Sequence, residues 1–342
     1  MANKGSFRLK IILINLILIV ILVGVSFYAV ESILRSYVPD TDHTGMNELA
    51  PAPLYYRIKP NFGGVLEGVQ VTINSHGYRD REFIKQRPQE EDLIAILGDS
   101  ITFGQGVPQD ETFPAILEKL LNESKSGQKH FRVWNLGVPG YNTMQEYEVF
   151  KSLVLPAKPT WVFLAYVIND VEPVNQGALK LIAGNKTEPT KSWFSNQWDK
   201  SIVVHIAKNR LGGLIRWIKP DWRFSSYVDD AISQYEGPES PWTEVSKIII
   251  SIKKLCDENG IRFTLVMTPS MMDFNNYPFL RINQIVEAFC KDNNIDFLDV
   301  LPYFKNSNPE QLFVSTIDPH PNGLAQSMIA RALMDHIRKA GK

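Results

Sequence analysis

The longest apolar stretch lies near the N-terminus. Ile11 to Val30 reads IILINLILIVILVGVSFYAV, without a charge and with one amide, Asn15. A helix needs about 20 such residues to cross the hydrocarbon core of a bilayer. The apolar core of a cleaved signal peptide is shorter, about 7–15 residues, and ends in small residues. Here the run ends in Phe27-Tyr28-Ala29-Val30-Glu31, and no cysteine follows to accept a lipid. The pattern therefore predicts an uncleaved transmembrane anchor over residues 11–30. Lys4, Arg8 and Lys10 precede it, whereas Glu31, Arg35, Asp40 and Asp42 follow. That bias places residues 1–10 in the cytoplasm and the rest of the chain outside it, as a single-pass protein.

Beyond the anchor the pattern changes twice. Residues 31–52 are polar and punctuated by proline, and read as a linker. Residues 53–91 read as a small β-rich element, with short strands at Leu54–Pro60 and Val65–Ile73 around Asn61-Phe62-Gly63-Gly64. From 92 to 342 short apolar runs alternate with amphipathic segments. Leu93–Leu97, Arg132–Leu136, Trp161–Tyr166, Arg262–Met267 and Ile295–Leu298 suit strands buried on both faces of a parallel sheet. Thr112–Leu121, Thr143–Leu153, Pro241–Asn259, Phe279–Asn293 and Gly323–Ala340 carry helical periodicity. Such alternation predicts an α/β fold with helices on both sheet faces. An insertion at about 171–240, far longer than ordinary connections, carries Trp193, Trp198, Trp217 and Trp222. It reads either as a lid or binding wall, or as a unit packing its own tryptophans. Within it Ile202 to Ile218 can also form an amphipathic helix touching the bilayer.

Composition removes several alternatives. Lys plus Arg is 36 and Asp plus Glu is 37, so there is no basic surplus for binding nucleic acid. Two cysteines, Cys256 and Cys290, both on helical stretches, exclude a disulfide framework and read as buried thiols. His43, His76, His130, His205 and His336 show no metal-ligand spacing. No metal or cofactor is expected.

Ligands of open α/β sheets bind beyond the carboxyl ends of the strands. Four polar blocks fall there or before the last helix: Gly98-Asp99-Ser100, Gly137-Val138-Pro139-Gly140, Asn169-Asp170 and Asp318-Pro319-His320. Together they suit acyl transfer. A serine hydroxyl is a weak nucleophile until a base takes its proton. His320 is the candidate base for Ser100, and Asp318 the group that orients its imidazole. The N–H groups of Ser100 and Gly140 and the amide of Asn169 are candidate donors to a tetrahedral oxyanion. Asp99 and Asp170 read as turn-stabilising side chains. Asn74, Gly77, Tyr78, Arg79 and Asp80 read as a turn with an Arg79–Asp80 surface pair, or, less simply, as part of the cleft.

These blocks, in this order, resemble the SGNH or GDSL-type serine hydrolases over roughly residues 92–340. The resemblance implies a flavodoxin-like α/β/α sandwich with a five-stranded parallel sheet. It also implies a catalytic triad of Ser100, His320 and Asp318, with Ser100, Gly140 and Asn169 forming the oxyanion hole. Family members include lipases, thioesterases and carbohydrate acetylesterases. Two positions depart from the pattern. Ile101 replaces the leucine of the family's name. The residue three before the histidine, usually aspartate, is Ile317, and the aspartate stands two before it. That spacing leaves a triad and a Ser100–His320 dyad both open.

The expected function is a membrane-anchored serine esterase acting on an acylated glycan or lipid outside the cytoplasm. The same triad would serve an O-acyltransferase acting on an envelope glycan, and the fold alone would serve a noncatalytic binding module.

Overall fold

In the computed structural model the described residues are 3–37, 45–84, 88, 90–123, 130–174, 179, 182, 201, 203, 224–315 and 318–340. The chain divides into two units, residues 1–40 with 187–220, and 41–186 with 221–342.

The first unit is built on α1 (Asn3–Tyr37). Ile11–Ile33 is long and apolar enough to cross a membrane, and its residues 11–30 are not buried as those of a core helix would be. Its one buried acid, Glu31, accepts hydrogen bonds from Ser201 Oγ (2.8 Å) and from the N–H of Val203 (3.0 Å). The insertion's four tryptophans and nearly all of Ile202–Ile218 lie outside the described residues.

In the second unit two small antiparallel ladders come first. β1 (Asn47–Leu49) pairs with β2 (Tyr56–Ile58), and β3 (Gly63–Leu66) with β4 (Val69–Thr72). Two expectations change here. Asn47–Leu49, read as linker, is a strand. Val65–Ile73, read as one strand, is cut by a hairpin turn at Glu67-Gly68. Both turn residues have positive φ, 51° and 78°, as a two-residue turn matching the strand twist requires.

The main sheet follows the sequence closely. Its strands are β5 (Glu91–Gly98), β6 (His130–Gly137), β7 (Trp161–Tyr166), β8 (Arg262–Met267) and β9 (Asp296–Asp299), all parallel in the order β6-β5-β7-β8-β9. Every residue of β7 is buried, because helices cover both faces. Between the strands run α2 (Ser100–Phe103), α3 (Phe113–Glu123), α4 (Thr143–Val149), α5 (Phe224–Ser233), α6 (Pro241–Glu258) and α7 (Leu280–Asp292), and α8 (Gly323–Ala340) closes the chain. α4 continues through a π-helical turn, Phe150–Val154, to Ala157. α3 packs on α8 and α6 on α4, giving the two helical layers of a flavodoxin-like α/β/α sandwich. Cys256 and Cys290 are buried free thiols.

Strand order reverses at β5, whose neighbours are β6 on one side and β7 on the other. Loops leaving the carboxyl ends of strands on either side of such a point diverge and leave a crevice. The loops carrying Ser100, Gly140 and Asn169 leave these three adjacent strands.

Candidate active site

Ser100 opens α2 directly after β5. Asp99 caps that helix: its Oδ1 accepts from the N–H of Ile101 at 2.9 Å, satisfying a helix-end donor. This fits the turn-stabilising reading of Asp99, but its Oδ2 also lies 3.3 Å from Ser100 Oγ. The short helix sits tightly against the sheet. A Cβ on Gly137 would lie 2.1 Å from the backbone nitrogen of Phe103, so only glycine at the end of β6 permits the approach.

His320 lies in the loop before α8. Its Nε2 is 2.9 Å from Ser100 Oγ, and its Nδ1 is 2.5 Å from Asp318 Oδ1. Asp318 Oδ1 also accepts from the backbone N–H of His320 at 3.0 Å, so the two-residue spacing closes a small ring that brings carboxylate and imidazole together. Thr316 and Ile317 lie outside the described residues. The loop is tied down by the Val314 N–H on the His320 carbonyl (2.9 Å) and by Asn322, which donates to Gln311 and Phe313 carbonyls. Buried Gln326 of α8 donates to the Ile101 carbonyl (3.0 Å) and accepts from the Phe113 N–H (2.8 Å). It thereby couples α8, which follows the His320 loop, to the helix that Ser100 opens.

Electrostatics follow the geometry. Burial works against protonation of His320, but the hydrogen bond and charge of Asp318, with the charges of Asp99 and Glu67, outweigh it and raise its pKa above the ordinary 6.5. Burial likewise opposes ionisation of Asp318. Its bonds to His320, the His320 charge and a contact with Glu67 win, and hold it at about 2. Asp99, Glu146 and Asp170 are buried acids. Burial first, then the Asp99 charge on Glu146 and the Glu146 and Asp99 charges on Asp170, push both well above the ordinary carboxylate range.

Gly140 has φ +77°, a left-handed position open to glycine at little cost. Its loop is braced by the β1–β2 ladder: Tyr56 OH donates to the Pro139 carbonyl (2.8 Å) and Tyr141 OH to the Tyr56 carbonyl (2.7 Å). Asn142 then caps α4 in a reciprocal box with Gln145. Its amide donates to the Glu172 carbonyl at 2.8 Å, joining this loop to the one after β7. In that loop Asp170 Oδ2 accepts from the Val167 N–H (3.0 Å), the structural role expected of it. Asn169 is exposed, and its amide meets no protein partner among the described residues.

The Arg79–Asp80 surface pair does not form. Arg79 is 1% exposed and donates to the carbonyls of Gly104 (2.6 Å), Val107 (2.7 Å) and Phe103 (3.3 Å), clamping the chain that leaves α2. Asp80 pairs instead with Arg132 at 2.7 Å. Arginine in a polar turn reads as exposed, because its partners are backbone carbonyls that leave no mark in sequence. Glu67 and Gln326 were missed for the same kind of reason, although Glu67-Gly68 between apolar positions is itself a hairpin signal. No group of three or more His, Cys, Asp or Glu side chains suited to a metal occurs among the described residues.

A flavodoxin-like sandwich with serine, histidine and aspartate gathered beyond its strands defines an SGNH-type serine hydrolase. Residues 96–326 match the GDSL-like Lipase/Acylhydrolase family, and the chain belongs to it. No curated protein matches. Among solved structures, TesA is similar at 13% identity and TM-score 0.45, covering 72% of this chain and 99% of its own. Axe2, an acetylxylan esterase from Geobacillus stearothermophilus, is similar at 18% identity and TM-score 0.43, covering 74% and 96%. The psychrotrophic esterase EstA from Pseudoalteromonas sp. is similar at 14% identity and TM-score 0.42, covering 72% and 97%.

Proposed function

We propose that this hydrolase is a membrane-anchored serine esterase that works through a Ser100–His320–Asp318 triad on an acylated glycan or lipid outside the cytoplasm. The observation that carries the reading is the continuous chain of contacts, 2.9 Å from Ser100 Oγ to His320 Nε2 and 2.5 Å from Nδ1 to Asp318. Ser100 Oγ attacks the ester carbonyl carbon while its proton passes to Nε2. The carbonyl oxygen becomes an oxyanion, met by the N–H groups of Ser100 and Gly140 and the amide of Asn169. The imidazolium, steadied by Asp318, gives its proton to the departing alkoxide, leaving acyl-Ser100 and free alcohol. His320 then takes a proton from water, whose hydroxide attacks the acyl carbon. Collapse of the second tetrahedral intermediate returns the proton to Ser100 and releases the acid.

The basic flank of the apolar helix supports a cytoplasmic N-terminus and an outer hydrolase domain. Tethering favours substrates fixed in the envelope over diffusing metabolites. The test uses the full chain in detergent micelles with p-nitrophenyl esters of rising acyl length. Ser100→Ala should abolish hydrolysis and labelling by a fluorophosphonate probe while circular dichroism stays unchanged. A folded Ser100→Ala variant with wild-type turnover refutes the triad. Acetyl preference points to glycan esters and long-chain preference to lipids. Acyl transfer to an added glycan, faster than hydrolysis, would make the enzyme a transferase. A C-terminal reporter active in the cytoplasm would overturn the orientation.

A further inference from the structure

Gly140 stands in the turn Val138-Pro139-Gly140-Tyr141. The Tyr141 N–H donates to the Val138 carbonyl at 3.1 Å, and Gly140 has φ +77°. Proline at the second place and a positive φ at the third are the marks of a type II turn. A type I turn differs from it by rotation of one peptide, the one between the second and third residues. Glycine takes either sign of φ at little cost, so its own backbone does not choose between them. Here that peptide joins Pro139 to Gly140. It is planar and trans, so its carbonyl and its N–H point in opposite directions. Whatever holds the Pro139 oxygen therefore aims the Gly140 hydrogen.

The ends of the turn are tied elsewhere. The Val138 N–H donates to the Gly98 carbonyl at 3.0 Å, two residues before Ser100. Tyr141 OH donates to the Tyr56 carbonyl at 2.7 Å. The central peptide is held differently. Among the described residues its one protein bond comes from Tyr56 OH to the Pro139 oxygen, at 2.8 Å, and the Gly140 N–H meets no protein acceptor. Tyr56 is buried, and its ring packs edge-on against that of Tyr141 with centroids 5.2 Å apart. Its hydroxyl lies so near Gly140 that a built Cβ there would meet it at 2.9 Å. We propose that Tyr56 is a positioning residue for the oxyanion hole: its hydroxyl holds the Pro139–Gly140 peptide in the type II orientation and so aims the Gly140 N–H at the oxyanion. The inference rests on the esterase reading, in which Gly140 is an oxyanion donor. It joins the small β-rich element to catalysis. Without the hydroxyl the Pro139 oxygen loses its partner, and the flip to type I sets an oxygen where the oxyanion needs a hydrogen. Burial, then the Asp99 charge, raises the Tyr56 pKa, so the hydroxyl keeps the proton it donates.

The experiment compares Tyr56→Phe and Tyr141→Phe in the full chain in detergent micelles, with p-nitrophenyl acetate as substrate and folding checked by circular dichroism. Each variant loses one hydroxyl bond between the same two segments, but only Tyr56→Phe frees the Pro139–Gly140 peptide. Losing an oxyanion donor outright costs about 10²–10³ in turnover. A donor left unaimed costs less, so Tyr56→Phe should lower kcat on the order of tenfold with KM within about twofold. Tyr141→Phe should keep kcat within about twofold of wild type. A trifluoromethyl ketone gives a second readout on Tyr56→Phe alone. Ser100 Oγ bonds to its carbonyl carbon, the carbonyl electron pair moves onto oxygen and the serine proton passes to His320, so its Ki reports the oxyanion hole. That Ki should rise in Tyr56→Phe by about the factor lost from kcat/KM, as for a transition-state analogue. Wild-type kcat in folded Tyr56→Phe overturns the proposal, as does a defect confined to KM or an unchanged Ki. An equal loss of kcat in Tyr141→Phe also overturns it, since any brace on the loop would then suffice. Ser100→Ala runs alongside: activity in that folded control refutes the esterase reading itself, whereas a dead control with a wild-type-like Tyr56→Phe refutes only the role of Tyr56.

Discussion

Replacing Asp318 by Asn removes the charge behind the base while changing the side-chain volume little. The structure sets the size of the effect. The surroundings hold the Asp318 carboxyl at about 2 against an ordinary 3.8, with the hydrogen bond and charge of His320 outweighing the burial that opposes ionisation. At 1.36 kcal/mol per tenfold, that preference for the ion is about 2 kcal/mol. The side chain is 13% exposed, so solvent screens little of it. The same interaction stabilises the imidazolium that forms as Ser100 loses its proton. Its loss therefore predicts a fall in kcat on the order of 30-fold, rising toward about 10⁴ if the amide imposes the wrong tautomer. The pH profile adds a signature. His320 must be neutral to act, so wild-type kcat/KM should fall with acid through a pKa above 6.5. Without the Asp318 charge that pKa drops, and the acid limb moves to lower pH. The deficit of the variant should thus be greatest on the alkaline plateau and smallest in acid. The assay is initial-rate hydrolysis of p-nitrophenyl acetate from about pH 5 to 9, with folding checked by circular dichroism. A folded variant with a wild-type plateau and an unmoved limb would show that Asp318 only shapes the turn, leaving a Ser100–His320 dyad.

Three further outcomes follow from other parts of the site. Asn169→Ala should lower kcat by about 10²–10³ with little change in KM, as loss of an oxyanion donor does; a defect confined to KM would make Asn169 a substrate-binding residue. Gly137→Ala drives a methyl to 2.1 Å from the Phe103 nitrogen. Backbone must then shift, at a cost of about 1–3 kcal/mol and with Ser100 displaced, read as a lowered Tm together with lost turnover; a wild-type Tm and rate would refute the close approach. Arg79→Met strips donors from the Gly104 and Val107 carbonyls and should destabilise the protein by about 3 kcal/mol in urea unfolding, whereas an exposed turn arginine would cost less than about 0.5.

Much of this architecture is written in local patterns. A strand buried on both faces needs an unbroken apolar run, and Leu93–Leu97 and Trp161–Tyr166 supply one within a few residues. The amphipathic helices are equally local, and their alternation with such strands selects a parallel sheet. Ser100, Gly140 and Asn169 were legible because each stands just after a strand, where the topology of an open sheet puts its crevice. Contacts between distant segments have no such signature. Whether Asp318 meets His320 depends on a ring closed through backbone and side chain at the end of a loop, which spacing alone leaves open. Arg79 is buried because three carbonyls at and beyond the end of α2 converge on it, and carbonyls belong to every residue alike. Glu67 meets Gln105 across the fold from the tip of a left-handed hairpin turn, and a polar residue at a turn otherwise reads as solvated. Periodicity follows from geometry repeated along one element, so sequence alone determined the strands, the helices and the order of the chemical blocks. The partners of Arg79 and Glu67 come from other elements, and the Asp318–His320 ring depends on how its loop folds, so only the folded chain could decide them.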